Sequence, residues 1–476
     1  MLRSTRSLLS KRSAIPLNRR YNSQLSSTCS APHFFDSVSS APAPGGDGTN
    51  IIPAFRLLDT EGQISQEVGK EWREKIERIE PKILKKLMKT MSQLPILDQI
   101  LYSSQRQGRI SFYMTSYGEE GAVVGSAAAW ENDDEVFAQY REVGVLLWRD
   151  YPLSSLMAQV FSSKSDTATK GRQMPVHYGS PEHHFHTISS PLATQIPQAA
   201  GAAYALKRTP GRENGCVICY AGEGATSEGD FHAGLNMASV LGGPLVFFVR
   251  NNGRVLAQFA ISTPVSQQYK GDGIASRGPA YGIETIRVDG NDPLAVYLAC
   301  KEARRKAVEG SKPILVEAMS YRLSHHSTSD DSSAYRNLSD VESRKKLDSP
   351  IFRLRRYLES LSPNSSSSSS GETDPIWSNK IDEEMKSALK REILKEFSKA
   401  EKEKKPRLEE MFGDVFAPIP ESVQSDRGAS GSGGLERPQM EQKRELKRLV
   451  EKWGETEDWK KELSKYEGGR DAVLKW

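Results

Sequence analysis

An acidic residue between two glycines, Gly222-Glu223-Gly224, closes one apolar run of this chain, and the pair Asn251-Asn252 closes the next. A carboxylate and an amide carbonyl at the ends of successive strands are hard oxygen donors. Mg²⁺ takes one or two such protein oxygens and completes its shell with the phosphates of a bound ligand. Arg250, directly before the asparagines, can pair with the same phosphates. Gly222 and Gly224, with Ala225 behind them, let the backbone turn tightly against a ligand. Ser227-Glu228-Gly229-Asp230 then opens a helix, whose free N–H groups suit a diphosphate. An ordinary turn and helix cap would account for Gly-Glu-Gly alone. The asparagines one strand later favour a metal–diphosphate cofactor site. Beyond a third apolar run, Tyr321-Arg322 and His325-His326 sit in a loop rich in Ser and Asp, where an imidazole is better placed to move protons than to pack in a core.

The elements that must carry these residues are legible around them. Val217-Ile218-Cys219-Tyr220, Leu245-Val246-Phe247-Phe248-Val249 and Pro313-Ile314-Leu315-Val316-Glu317-Ala318 are short continuous apolar runs. Helical patterns over Phe231–Val240 and Leu294–Val308 lie between the first two and before the third. Strand–helix–strand order with unbroken apolar strands predicts an α/β fold with a mostly parallel central sheet, flanked by helices on both faces. Such sheets bind ligands at the carboxyl ends of their strands. Three polar clusters at three strand ends therefore converge on one crevice. Apolar positions from Trp72 to Met91 recur every three or four residues, predicting a helix over Lys70–Ser103 that Pro81 kinks or restarts.

Longer stretches around these clusters resemble the α subunits of the mitochondrial branched-chain 2-oxo acid dehydrogenases, the decarboxylating component that uses thiamine diphosphate. The acidic residue between glycines and the paired asparagines some thirty residues later resemble the thiamine-diphosphate motif. Arg109–Tyr113, Gly118-Glu119-Glu120, Gln139–Glu142, Gly171–His177, Ser189–Gln195 and His325–Asp331 resemble segments particular to this subfamily, over about 52–421. The resemblance implies a thiamine-diphosphate-binding fold with helical N- and C-terminal extensions. It implies that Glu223 and Asn252 hold Mg²⁺ by their side chains. Tyr140, Arg141, Arg250 and His326 would contact the diphosphate or the reacting region, and Gln139 would be their neighbour. Ser190 and Leu192 would touch the cofactor, Leu192 against the aminopyrimidine. Ser189, Pro191, Thr194 and Gln195 would form a K⁺ loop of hydroxyl, amide and backbone oxygens. His326 would be catalytic, and Ser327 beside it the site of inhibitory phosphorylation. The same resemblance implies an α₂β₂ heterotetramer in the mitochondrial matrix, whose β subunit supplies the rest of the active site, together with a lipoyl-bearing acyltransferase core, a regulatory kinase and a phosphatase.

Two positions depart from the family pattern. Arg254-Val255-Leu256-Ala257-Gln258 intervene between Asn-Asn-Gly and Phe259-Ala260-Ile261-Ser262-Thr263-Pro264. The family places there an aromatic whose backbone carbonyl ligates Mg²⁺; Arg254 holds its distance from Asn252 and Phe259 its character. Asn337 stands where the family has a second phosphorylated serine. The alternatives are a pyruvate-type α subunit, or a regulatory or structural paralogue that binds cofactor weakly because of the insertion.

The remainder of the chain sets bounds. Residues 1–35 carry six basic residues and no acidic one, with Ser and Leu between them, the composition of a mitochondrial targeting segment with processing near Tyr21. A Ser-, Ala-, Pro- and Gly-rich linker spans 36–50, and the dehydrogenase domain is predicted over 51–421. A serine-rich insertion lies near 362–374, a flexible linker over 422–440 and a C-terminal helical extension over 441–476. Charged helices are predicted over Glu383–Lys405 and Glu441–Lys465. A net charge of +4 among 476 residues gives no ground for a nucleic-acid partner, and no stretch is apolar enough for membrane insertion. Cys216 and Cys219 have a C-x₂-C spacing but fall within a buried-strand pattern, so a zinc or redox role carries little weight. His177 reads as structural or a loop contact, and His183, His184 and His186 as a solvent-facing loop.

Overall fold

The structure is a computed structural model that describes residues 28–29, 32, 34, 52–252, 259–269, 272–336, 338–361, 375–412 and 438–476. Its strands are β1 (Thr28–Cys29), β2 (Ala54–Phe55), β3 (Glu135–Phe137), β4 (Phe185–His186), β5 (Val217–Gly222), β6 (Leu245–Asn251), β7 (Phe259–Ala260), β8 (Thr263–Pro264), β9 (Glu284–Asp289) and β10 (Pro313–Met319). Eight of them form one sheet in the order β1-β2-β9-β10-β6-β5-β3-β4, and every pairing in it is parallel. β7 and β8 make a separate antiparallel ribbon. The three apolar runs are the central strands, each buried along its whole length.

Alternation along these strands divides the core in two. Ile218, Tyr220, Val246, Phe248, Ile314 and Val316 face one cluster, closed by helices Pro81–Arg106, Glu120–Ala127 and Pro293–Gly310. Val217, Cys219, Phe247, Val249 and Leu315 face the other, closed by Gln195–Leu206 and Gly229–Leu241. Register decides what happens at the open end. Gly222 of β5 pairs with Arg250 of β6, and Met319 of β10 with Asn251 of β6. Ser320 N–H then donates to the Asn251 carbonyl at 2.8 Å. The three strands therefore finish level, and Glu223, Asn252 and Tyr321-Arg322 leave the sheet side by side.

The predicted N-terminal helix is two helices, Lys70–Glu77 and Pro81–Arg106. Pro81 occupies the first turn of the second, where its missing N–H costs nothing, so it restarts the helix. The long charged helix runs Asn379–Lys402, with Leu389, Ile393 and Phe397 buried. The expected single helix over Glu441–Lys465 is instead two, Pro438–Trp453 and Glu457–Leu463. They break at Gly454, where a Cβ would meet the Val450 carbonyl at 2.3 Å. Val450 docks with Leu408, Leu463 and Val473, whereas Leu449 and Trp453 face outward.

β1 lies inside the 1–35 segment, and Cys29 and Phe34 pack on the main core. The 36–50 linker, the 362–374 insertion, the linker up to residue 437, Arg254–Gln258 and Asn337 lie outside the described residues. Among the described residues no helix is long and apolar enough to cross a membrane.

Candidate active site

A cleft of about 380 Å³ opens at the carboxyl ends of β5, β6 and β10. Gln139, Tyr140, Arg141, Ser190, Leu192, Gly222, Glu223, Gly224, Ala225, Arg250, Asn252 and His326 all line it. Their separation in sequence is bridged by the level strand ends. Ser227 to Asp230 do not line the cleft, so the N-terminus of the Gly229–Leu241 helix is not its wall; Ala225, which opens the short 3₁₀ turn before that helix, does line it.

Glu223 is buried, and burial pushes its carboxyl above the usual range. It makes no ion pair among the described residues. Its Oε2 lies 3.4 Å from the Asn252 backbone N–H. The Asn252 side-chain oxygen accepts from the Arg322 N–H at 2.7 Å, which holds that oxygen at the same corner. A buried carboxylate without a salt bridge, next to an oriented amide oxygen, fits a hard divalent cation. The anion side also fits. Arg322 Nη2 and Arg250 Nε are both buried without a hydrogen-bond partner, and both residues line the cleft. A diphosphate would supply the missing acceptors.

Arg250 is less free for phosphate than its place in the sequence predicts. Its Nη1 donates to Glu119 at 2.9 Å and its Nη2 to Glu142, so two carboxylates hold it and push its pKa further up. Glu142 also accepts from the N–H groups of Gln139 and Tyr140, at 2.9 and 2.8 Å, fixing the turn that presents both residues. Gln139 Oε1 accepts from Gly222 N–H at 2.7 Å, which ties that turn to the glycine loop. Glu119 and Glu142 stood in the segments that carried the resemblance, but nothing in their spacing disclosed a role as partners of Arg250.

Arg141 donates to the carbonyls of Thr115 and His326. The His326 backbone N–H donates to Asp330 at 2.7 Å. Burial, Arg141 and Arg322 together hold the His326 imidazole down to about 3. The ring is neutral at physiological pH. Ser327 does not line the cleft; its hydroxyl accepts from the Ser329 N–H at 3.2 Å and caps the turn beside His326.

His177 also belongs to the cleft, where the sequence suggested a structural or loop contact. Its Nδ1 faces the Pro175 carbonyl at 3.1 Å and its Nε2 faces Ser190 Oγ at 2.9 Å. The carbonyl requires a proton on Nδ1, so Nε2 accepts from the serine hydroxyl. Phe112, Met114 and Met174 add an apolar wall that no motif announced.

The proposed K⁺ loop lies beside the cleft, and Ser190 and Leu192 from the same segment line it. Ala193 takes φ +68°, which curls the loop, and Thr194 Oγ1 donates to the Pro191 carbonyl at 3.2 Å. Gln195 Nε2 is spent on the Tyr220 carbonyl at 2.9 Å. Neutral oxygens gathered in one turn are the donor type a large monovalent cation takes. Arg254 lies outside the described residues. Phe259 begins β7, and Ala260 and Ile261 line the cleft, so the chain returns to the site beyond the insertion.

Two more histidines and two cysteines lie away from the cleft. His184 and His186 are not in a simple solvent loop: they flank and enter β4, and both bond Glu135, at 3.0 and 3.2 Å. Cys216 and Cys219 are buried thiols, pushed up by burial. No group of three His, Cys, Asp or Glu residues among those described can hold a metal.

A parallel α/β sheet, a buried carboxylate and amide at adjoining strand ends, and arginines with unpaired N–H groups make a cleft whose chemistry suits a diphosphate cofactor. Residues 88–409 match the family described as the dehydrogenase E1 component, and the chain belongs to that family. Within it the chain is 53% identical over 381 residues to the 2-oxoisovalerate dehydrogenase subunit alpha, mitochondrial, of Homo sapiens, covering 79% of this chain and 78% of that protein. It is 48% identical to the protein of the same name from Caenorhabditis elegans, over 80% of this chain and 82% of that one. It is 44% identical to the 2-oxoisovalerate dehydrogenase subunit alpha 2, mitochondrial, of Arabidopsis thaliana, over 78% and 73%.

Proposed function

We propose that this chain is the α subunit of a mitochondrial 2-oxo acid dehydrogenase acting on branched-chain 2-oxo acids such as 3-methyl-2-oxobutanoate. The substrate loses CO₂, its acyl group passes to a lipoyl group of a partner acyltransferase, and the lipoyl disulfide is the oxidant. The observation that carries this reading is the convergence of Glu223, Asn252, Arg322 and His326 on one cleft in a chain of such high identity to the 2-oxoisovalerate dehydrogenase α subunits.

Thiamine diphosphate, when bound, supplies the carbanion sink for decarboxylation. Glu223 and Asn252 would hold its Mg²⁺, and Arg322 Nη2 and Arg250 Nε would donate to its diphosphate. Ser189, Pro191, Thr194 and Gln195 would hold K⁺ and stiffen the loop that presents Ser190 and Leu192. With a bound diphosphate offsetting Arg141 and Arg322, the His326 imidazole would take up a proton and give it to the oxyanion that develops from the substrate's keto group. Phe112, Met114 and Met174 give the cleft an apolar wall beside the substrate. Half of the site would come from a β subunit in an α₂β₂ heterotetramer in the mitochondrial matrix. The test is the co-expressed heterotetramer: kcat/KM on 3-methyl-2-oxobutanoate well above that on pyruvate supports the reading, and the reverse order replaces it with a pyruvate-type enzyme.

Ser327 is proposed as a phosphorylation switch, worked by a kinase and a phosphatase. A phosphate there adds about −1.5 to −2 charges beside His326. It would displace the turn cap to Ser329 and draw on Arg322 or Arg336, whose donors now hold the 322–324 backbone. We expect Ser327→Glu to inhibit strongly, and Ser327→Ala to stay active and resist inactivation by a 2-oxo acid dehydrogenase kinase. Full lipoyl-domain acylation with stoichiometric phosphate on Ser327 would reject the switch.

A further inference from the structure

We infer that Asp98, a residue of the long Pro81–Arg106 helix outside the cleft, is a positioning residue that holds the His326 loop and Arg141 in place through the segment Tyr113–Tyr117. The inference deepens the function proposed above and rests on it for the role of His326.

The connections run outward from one carboxylate. Asp98 is buried; it accepts from the Tyr113 hydroxyl at 2.8 Å and from the Ser116 N–H at 2.7 Å, and the Tyr117 N–H also points to it. These bonds fix a stretch with no regular secondary structure of its own. That stretch is laced to the His326 loop at both ends. Leu323 N–H donates to the Tyr117 carbonyl at 2.9 Å, and Thr328 N–H to the Tyr113 carbonyl at 3.2 Å. Between them Thr115 Oγ1 donates to Ser324 Oγ. The two segments therefore lie against each other from Leu323 to Thr328, with His326 in the middle.

The same stretch also sets Arg141. Its carbonyl at Thr115 accepts from Arg141 Nη1, and Ser116 Oγ donates to the Arg141 carbonyl at 3.2 Å. Arg141 Nη2 then reaches the His326 carbonyl. Gly118 shows how close the fit is. It has φ +96°, and a Cβ there would stand 2.3 Å from the Tyr321 carbonyl and 2.7 Å from the Leu323 N–H. Asp98 is the point where all of this is anchored to a rigid helix. Its bonds do not offset the cost of burial, which pushes its carboxyl up to about 7. An isosteric neutral replacement keeps one oxygen that can still accept from the backbone N–H groups.

The test uses the full chain assembled with its partner subunit and reads amide hydrogen exchange and steady-state kinetics. For Asp98→Ala we expect exchange at 322–328 to rise by about tenfold or more, the scale set by losing one or two buried hydrogen bonds, while β5, β6 and β10 stay protected. The kcat on 3-methyl-2-oxobutanoate should fall with it, and KM far less. Asp98→Asn should restore loop protection to within a few-fold. Tyr113→Phe removes one donor and serves if Asp98→Ala does not assemble; its loop exchange should rise while the strands remain protected. Unchanged exchange at 322–328 in either loosening variant overturns the inference, as does a loss of protection spread evenly over the sheet. A wild-type enzyme inactive on every 2-oxo acid, with the loop exchange pattern as expected, would instead remove the functional reading and leave the anchoring intact.

Discussion

Replacing His326 with alanine is expected to lower turnover on 3-methyl-2-oxobutanoate by about 10²–10⁴-fold, the usual loss when a positioned proton-transfer group is removed. The fold should survive, because the ring lies in a loop and its backbone anchors, to Asp330 and Arg141, do not involve the imidazole. Acylation of a lipoyl domain by the assembled enzyme is the measurement; unchanged turnover rejects the role. The acid behaviour provides a second readout. In the unfolded chain an imidazole protonates near pH 6.5, but in the free folded protein His326 stays neutral down to about 3. Between those values the unfolded state binds more protons, so this histidine's contribution to stability falls as pH falls through that window. His326→Ala should therefore flatten the acid side of the stability curve of the cofactor-free protein. A bound diphosphate near Arg141 and Arg322 would offset their charge and move the imidazole back up, shifting the acid limb of activity above that of free-protein stability.

The parts of this molecule visible in the sequence are those that repeat locally. Three apolar runs became three central strands because a sheet covered on both faces needs unbroken apolar strands. Glu223, Asn252 and His326 could be placed in one crevice because strand ends in a parallel sheet lie on one side. The less visible parts depend on pairing between distant segments. β3 and β4 are too short to show a pattern, yet they carry Gln139 to the cleft and hold the Glu135–histidine cluster. That Glu119 and Glu142 hold Arg250 was not visible, because these partners are 131 and 108 residues away and sequence spacing carries no trace of them. His177 passed as structural because its contact to the cleft exists only once the 189–195 loop folds back on it. The late helix was drawn too long because Gly454 alone, within a charged pattern, marked its break.

Replacing Glu223 with alanine should remove Mg²⁺-dependent thiamine diphosphate binding while leaving the cofactor-free protein at least as stable. The two halves have one cause. A carboxylate buried without an ion pair is a cost to the free fold, so deleting it does not weaken that fold. The same carboxylate is the only charged side chain proposed to ligate the metal, and Asn252 offers just a neutral oxygen. Loss of a contact to a full charge exceeds loss of a neutral one, so Glu223→Ala should weaken binding more than Asn252→Ala does. Each tenfold loss of affinity corresponds to about 1.4 kcal/mol. Thermal denaturation separates the terms. At a ligand concentration one hundred times its Kd, the wild-type heterotetramer should gain about 2.7 kcal/mol from cofactor and Mg²⁺. Glu223→Ala should show little or no such rise under the same conditions, and its melting temperature without cofactor should equal or exceed that of wild type. A variant that melts lower without cofactor, yet keeps the full ligand-induced rise, would show that Glu223 supports the fold rather than the metal. The wild-type titration also judges the unusual Arg254–Gln258 insertion. A normal Mg²⁺-dependent rise shows that the chain tolerates these residues beside Asn252, and its absence in wild type favours the weakly binding paralogue.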